Sequence, residues 1–202
     1  MTAKIKLCGL SRPVDIDYVN QTKPDYCGFI IHFPKSRRNV SSEQVRALAA
    51  RLDPEITPVG VFVDQPAETV AGLLNEGTIS VAQLHGHEDE RYLSVLRKLT
   101  SRPVWQAFQI RSGADLQRAA ESTADMVLLD SGQGSGVTLD WSILADFPRP
   151  FVLAGGLTAE NIPAALAQVT PYAVDLSSGV ETEGYKDLDK MLAAVAAVRK
   201  DK

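Results

Sequence analysis

Short apolar runs alternate with helical stretches eight times along this chain, and that rhythm restricts the available folds more than any other feature. The runs begin with Lys4 to Gly9, Tyr26 to Ile31, Thr57 to Val63 and Ile79 to Leu84. They continue with Pro103 to Phe108, Met126 to Leu129, Phe151 to Leu153 and Tyr172 to Leu176. Each is too short for a helix and is bounded by turn residues, which predicts strands. Between them, Pro13 to Thr22, Ser41 or Ser42 to Leu52, Pro66 to Glu76 and Asp89 to Leu99 read as helices. So do a Ser112-capped stretch to Ser122, a short piece from Asp140 to Phe147, Thr158 to Gln168, and Asp187 to Arg199. Several strands are apolar throughout, as strands buried on both faces of a parallel sheet are. Successive units of roughly 25 residues, with no shift of composition to mark a linker, predict an α/β fold. The expectation is a single (β/α)8 TIM barrel, eight parallel strands ringed by helices, with residues 1–202 forming one domain.

The first strand tests that reading. Side chains on a strand alternate, so Lys4, Lys6 and Cys8 share one face while Ile5 and Leu7 share the other. Lysines beneath a cysteine suit a face that points into something enclosed and polar. A closed barrel supplies such an interior. It also makes the first and eighth strands neighbours, so that Lys6 and Asp175 are expected to form a buried ion pair.

The chain has 202 residues, 45% of them hydrophobic, enough for one sizeable core. A formal charge of −4 argues against nucleic-acid binding, because no basic excess exists to neutralise phosphates. No apolar run reaches the ~18 residues that span a bilayer, and no signal-peptide core is seen, so a cytoplasmic protein without a membrane partner is expected. Cys8 and Cys27 do not make a disulfide framework; each is either a buried packing residue or a reactive thiol. Three histidines, His32, His85 and His87, match no metal spacing. Neither a metal nor a cofactor is expected.

In a barrel of this kind the active site lies at the carboxyl ends of the strands. Cys8, Arg37, Arg38, Asp64, His85, Asp130, Gly155, Gly156, Ser177, Ser178 and Gly179 all fall there. Asp130 ends an apolar strand, where a carboxyl is either paired or functional. A thiol and a carboxyl facing one mouth suit proton transfer at two places on one substrate. Gly155 and Gly156, before a helix start at Thr158, offer bare N–H groups and a positive dipole end to a phosphate. Ser177, Ser178 and Gly179 offer a second such loop. Arg37 and Arg38 are either a solvated charge run or a clamp for a carboxylate. Gln83 and His85, if they face inward, line the site, and His87 is expected to be exposed.

Several segments together resemble the phosphoribosylanthranilate isomerase family. They are Lys6-Leu7-Cys8-Gly9, Pro34-Lys35-Ser36-Arg37-Arg38, Val59-Gly60-Val61-Phe62-Val63, Gln83-Leu84-His85-Gly86, Leu128-Leu129-Asp130-Ser131, Leu153-Ala154-Gly155-Gly156 and Val174-Asp175-Leu176-Ser177-Ser178-Gly179-Val180-Glu181. The resemblance runs in order from end to end. It implies an Amadori rearrangement of a phosphosugar–anthranilate substrate in tryptophan synthesis, with Asp130 as general acid and Cys8 as general base. It further implies Arg38 or Arg37 at the substrate carboxylate and Gln83, His85 and Asp175 among the substrate-binding residues. Gly155, Gly156 and Ser177 to Gly179 would hold the phosphate. Arg37 stands where the family usually has proline and Asn39 where an aromatic is usual; the loop Gly132 to Gly136 is shorter than the family's. A metal-dependent phosphosugar epimerase, a bifunctional isomerase with two carboxylates, and a barrel without activity fit the chain less well. The assembly is expected to be a monomer or a homodimer.

Overall fold

The computed structural model describes residues 3–130 and 141–199. Eight parallel strands form one closed ring: β1 (Lys4–Cys8), β2 (Tyr26–Ile31), β3 (Thr57–Phe62), β4 (Val81–Leu84), β5 (Val104–Gln109), β6 (Met126–Asp130), β7 (Phe151–Ala154) and β8 (Ala173–Leu176). Closure comes from β1, which pairs with β2 on one side and β8 on the other. Seven α-helices flank the ring among the described residues: α1 (Pro13–Thr22), α2 (Ser42–Ala49), α3 (Ala67–Asn75), α4 (Glu90–Leu99), α5 (Gly113–Glu121), α6 (Ile162–Gln168) and α7 (Leu188–Arg199).

Period-two alternation divides the apolar residues into two cores. Tyr26, Val59, Val81, Trp105, Leu128, Val152 and Ala173 fill the barrel, Tyr26 meeting Trp105 edge-on at 5.0 Å between ring centres. Ile5, Leu7, Phe29, Phe62, Leu84, Leu129 and Val174 face outward into the layer between sheet and helices. Local chemistry places the helix starts. Pro13 opens α1 behind Asp15, whose carboxylate accepts the N–H groups of Ser11 and Arg12, each at 2.9 Å. Ser41 and Gln44 form a capping box on α2, and Asp89 caps α4 through the N–H of Tyr92.

Several expected boundaries shift, α2 for instance ending at Ala49 rather than Leu52, and three differences bear on the loops. The fourth strand starts at Val81 rather than Ile79, because the Ile79 N–H is given to the Leu73 carbonyl at the end of α3. Between β6 and β7 a single 3₁₀ turn, Trp141–Leu144, stands in place of the expected helix, whose first residue, Asp140, lies outside the described residues. α6 begins at Ile162, not Thr158. Pro163 has no N–H to offer the carbonyl four residues back, so the regular ladder cannot extend to Thr158. Two short elements were not anticipated. Asn39–Val40 adds a brief strand beside β2, and Glu181–Thr182 pairs antiparallel with Tyr185–Lys186 after β8.

Candidate active site

The carboxyl-terminal rim is where the chemistry-bearing side chains meet. Cys8 ends β1, 6% exposed, opposite Gly28 of β2. A Cβ on Gly28 would stand 2.6 Å from Cys8 Sγ and 3.2 Å from Lys6 Cε, so glycine is what leaves room for both. Lys6 is fully buried one layer below, and its Nζ donates to Asp175 Oδ2 at 2.8 Å. The pair expected from alternation and closure is therefore present. Asp175 Oδ1 has no hydrogen-bond partner among the described residues. Burial pushes the Cys8 thiol up, while the Lys6 ammonium pulls it down. Burial disfavours the ammonium too, but Asp175 and the thiol together hold it charged.

Asp130 ends β6 across the mouth, separated from β1 by β7 and β8. Its Oδ2 lies 3.9 Å from His85 Nε2, and His85 Nδ1 lies 3.2 Å from Gln83 Nε2. Gln83 and His85 thus face inward. Desolvation lowers the His85 imidazole below its ordinary value despite the pull of Asp130. That direction favours the neutral ring, for which the approach to Asp130 is a dipolar contact rather than an ion pair.

The ends of β7 and β8 carry the two small-residue loops. Gly155 and Gly156 have φ of 97° and 60°, a left-handed backbone that favours glycine. Ser177 leads into a 3₁₀ turn, Ser178–Val180, and Gly179 fits so closely that a Cβ would lie 1.9 Å from the Leu157 carbonyl oxygen. The two loops lie against each other, and the regular helix begins beyond them. α6 starts six residues after Gly156, and Asn161 closes the intervening turn by accepting from the Thr158 N–H and donating to the Gly156 carbonyl.

On the opposite side of Cys8, one carboxylate gathers three cations. Glu181 Oε1 accepts from Arg38 Nε at 2.6 Å and from Lys186 Nζ at 2.7 Å; Oε2 accepts from Arg38 Nη2 and Arg37 Nη2, each at 2.7 Å. Lys186 also donates to the Ser177 carbonyl at 2.9 Å, tying this cluster to the loop after β8. Burial alone would raise the Glu181 carboxyl, but Arg38 and Lys186 bring it down to about 2. Arg38 is 20% exposed and Arg37 58%, so Arg38 is the inner of the two arginines.

Comparison with known proteins gives the family. A model of the N-(5'-phosphoribosyl)anthranilate (PRA) isomerase family matches residues 5–197. The chain belongs to the phosphoribosylanthranilate isomerase family. An N-(5'-phosphoribosyl)anthranilate isomerase from Thermoanaerobacter sp. (strain X514) is 41% identical over 97% of this chain and 98% of its own length. The solved phosphoribosyl anthranilate isomerase of Thermotoga maritima superposes with a TM-score of 0.88 at 32% identity, covering 98% of this chain and 99% of that one. Another isomerase structure, in complex with reduced 1-(o-carboxyphenylamino)-1-deoxyribulose 5-phosphate, gives a TM-score of 0.86 at 31% identity, covering 98% and 99% of the two chains.

Within this isomerase fold, the structure brings Cys8, Asp130, Gln83, His85, Asp175 and Arg38 to one mouth, with Arg37 at its edge. Asp64 is not among them. It closes the end of β3 with φ 52° and accepts from both the backbone and the ring of His87, at 2.6 and 3.0 Å. His87 is exposed, as expected. The glycine-rich loop Ser131 to Val137 lies outside the described residues. Sequence reasoning missed Glu181 as a site residue, and Lys186 altogether. The available signal was the Glu183-Gly184 pair between them, a tight-turn dipeptide that folds the two charges together.

Proposed function

We propose that this chain isomerises phosphoribosylanthranilate by general acid–base catalysis, within one barrel domain and without a cofactor. Cys8 and Asp130 ending β1 and β6 on the same rim of one barrel is the observation that supports the reading. Asp130 protonates the furanose ring oxygen as the C1'–O bond breaks, and the anthranilate nitrogen lone pair forms the iminium. The thiolate form of Cys8, the minority species of a thiol held above its ordinary value, then takes the C2' proton, and that C–H pair becomes the C1'=C2' bond of an enolamine as the iminium π electrons return to nitrogen. The Cys8 thiol gives a proton to C1' as the Asp130 carboxylate takes the enol proton, which yields the ketone and restores both groups. The iminium is itself the electron sink, so two correctly placed proton-transfer groups suffice.

The remaining groups position the substrate. Arg38 takes the anthranilate carboxylate, the loops at Gly155–Gly156 and Ser177–Gly179 take the phosphate, and Asp175, Gln83 and His85 bind the sugar between them. The unpartnered Asp175 Oδ1 and Gln83 Oε1 support this, as buried acceptors suited to sugar hydroxyls. We further infer a cytoplasmic monomer or homodimer; among the described residues no helix is long and apolar enough to cross a membrane. The test is turnover of phosphoribosylanthranilate, followed by loss of anthranilate fluorescence. Cys8→Ala and Asp130→Asn are each expected to lower kcat by about 10²–10⁴-fold. Activity unchanged in both would overturn the mechanism.

A further inference from the structure

The carboxylate site has a part that its two arginines do not account for. Glu181 is 8% exposed and lies in a hairpin rather than in the barrel, yet it meets Arg37, Arg38 and Lys186 at once. Its grip on Arg38 is bidentate along the Nε–Nη2 edge. A guanidinium has five N–H groups in a fixed fork, so this grip leaves the Nη1–Nη2 edge, which points in a different direction, to face another carboxylate. The Arg38 side chain packs closely over Gly9, where an added Cβ would stand 2.4 Å from Arg38 Cδ, so glycine is what admits it there. Lys186, 2% exposed, fixes Glu181 in turn by holding the Ser177 carbonyl with the same ammonium. Three cations against one carboxylate leave the cluster positive, and the cavity that it helps to line also carries Arg12 and the carboxylates of Asp15 and Glu183.

We propose that Glu181 is a positioning residue for carboxylate recognition: it sets the edge of Arg38 that is presented to the ortho-carboxylated aryl group of the substrate. Through Lys186 it ties that edge to the loop that holds the phosphate, so the two anion sites keep a fixed separation. The inference rests on the assignment of Arg38 to the substrate carboxylate. It differs from a placeholder role, in which Glu181 occupies Arg38 until the substrate displaces it. Removing a placeholder tightens binding; removing a positioning group weakens it.

The experiment measures calorimetric binding of two probes: reduced 1-(o-carboxyphenylamino)-1-deoxyribulose 5-phosphate and its phenylamino counterpart lacking the carboxyl. Glu181→Gln is expected to weaken the carboxylated probe by about 10–100-fold, the value of a charged hydrogen-bond pair, and to leave the phenylamino probe unchanged. A merely structural role would weaken both alike, and that result overturns the proposal. So does unchanged or tighter binding of the carboxylated probe. If the Gln variant does not fold, Glu181→Asp keeps the charge but withdraws the carboxylate by one methylene, and the same selective loss is expected on a smaller scale. Arg38→Lys separates the two readings. If it keeps full preference for the carboxylated probe, the assignment of Arg38 fails and the proposal with it. If Arg38→Lys loses the preference while Glu181→Gln keeps it, only the role of Glu181 is overturned.

Discussion

Replacing Lys6 by methionine removes one charge from a pair that water does not reach. Lys6 is fully buried, and Asp175 keeps 9% of its side-chain surface, at 2.8 Å. At an effective dielectric of about 20, two unit charges at that distance attract by roughly 6 kcal/mol, and taking each from water costs several kcal/mol. The intact pair is therefore close to balanced. Breaking it leaves Asp175 charged and buried, which costs about 3–5 kcal/mol. A barrel of this size loses roughly 2–4 °C of Tm per kcal/mol, so Lys6→Met should melt about 6–20 °C below the parent. Adding Asp175→Leu removes the stranded charge, and the double variant should return to within about 2 kcal/mol of the parent. Urea unfolding of the four proteins at pH 7.5 measures this coupling. Single variants that each lose less than about 1 kcal/mol, or a double variant that loses the sum of the two, would refute the argument.

Gly28→Ala should lower kcat by about 10²-fold with little change in KM, since its methyl group must displace the Cys8 sulfur rather than the substrate; an unchanged kcat in steady-state assays contradicts this. Thiolate absorbance at 240 nm, with Cys8→Ala as the blank, should show Cys8 titrating above the ordinary thiol range of about 8.5, because burial outweighs the pull of Lys6. Glu181 is depressed to about 2 from an unfolded value near ~4.3, so the stability it confers is complete above that value and fades as pH falls towards 2. The stability gap between parent and Glu181→Gln should accordingly hold from pH 7 to about 5 and narrow below; an equal gap at pH 3 and pH 7 would count against the assignment.

Strand positions in this protein were legible because two constraints act together: alternation decides which face a residue takes, and closure decides which strands meet. Lys6 and Asp175, 169 residues apart, were paired on those grounds alone. Cys8 and Asp130 were legible as polar ends of apolar strands. Glu181 and Lys186 were not, because no periodicity governs a loop, and a carboxylate after a glycine turn looks solvated until its partners are placed. The start of α6 was misread for a related reason. Small residues followed by threonine suggest a helix cap, but Pro163 and the Asn161 side chain decide the turn one step further along. The order of Arg37 and Arg38 also needed three dimensions, since exposure, 58% against 20%, is what separates an outer from an inner arginine.

Closure through β1 has a consequence for how the protein is made. On the ribosome β1 emerges first and its partner β8 last, so the nascent chain carries its thiol through nearly all of synthesis beside an incomplete wall. At about 5–20 residues per second, the interval between Lys6 and Asp175 lasts roughly 10–35 s. During that time Lys6 lacks its counter-ion, and β1 has a strand edge open to wrong partners. Insertion of β8 then neutralises Lys6, seals the edge and encloses the thiol in one event. Any truncation before Asp175 should yield a chain that holds most of its strands but completes neither the enclosure of Cys8 nor its wall.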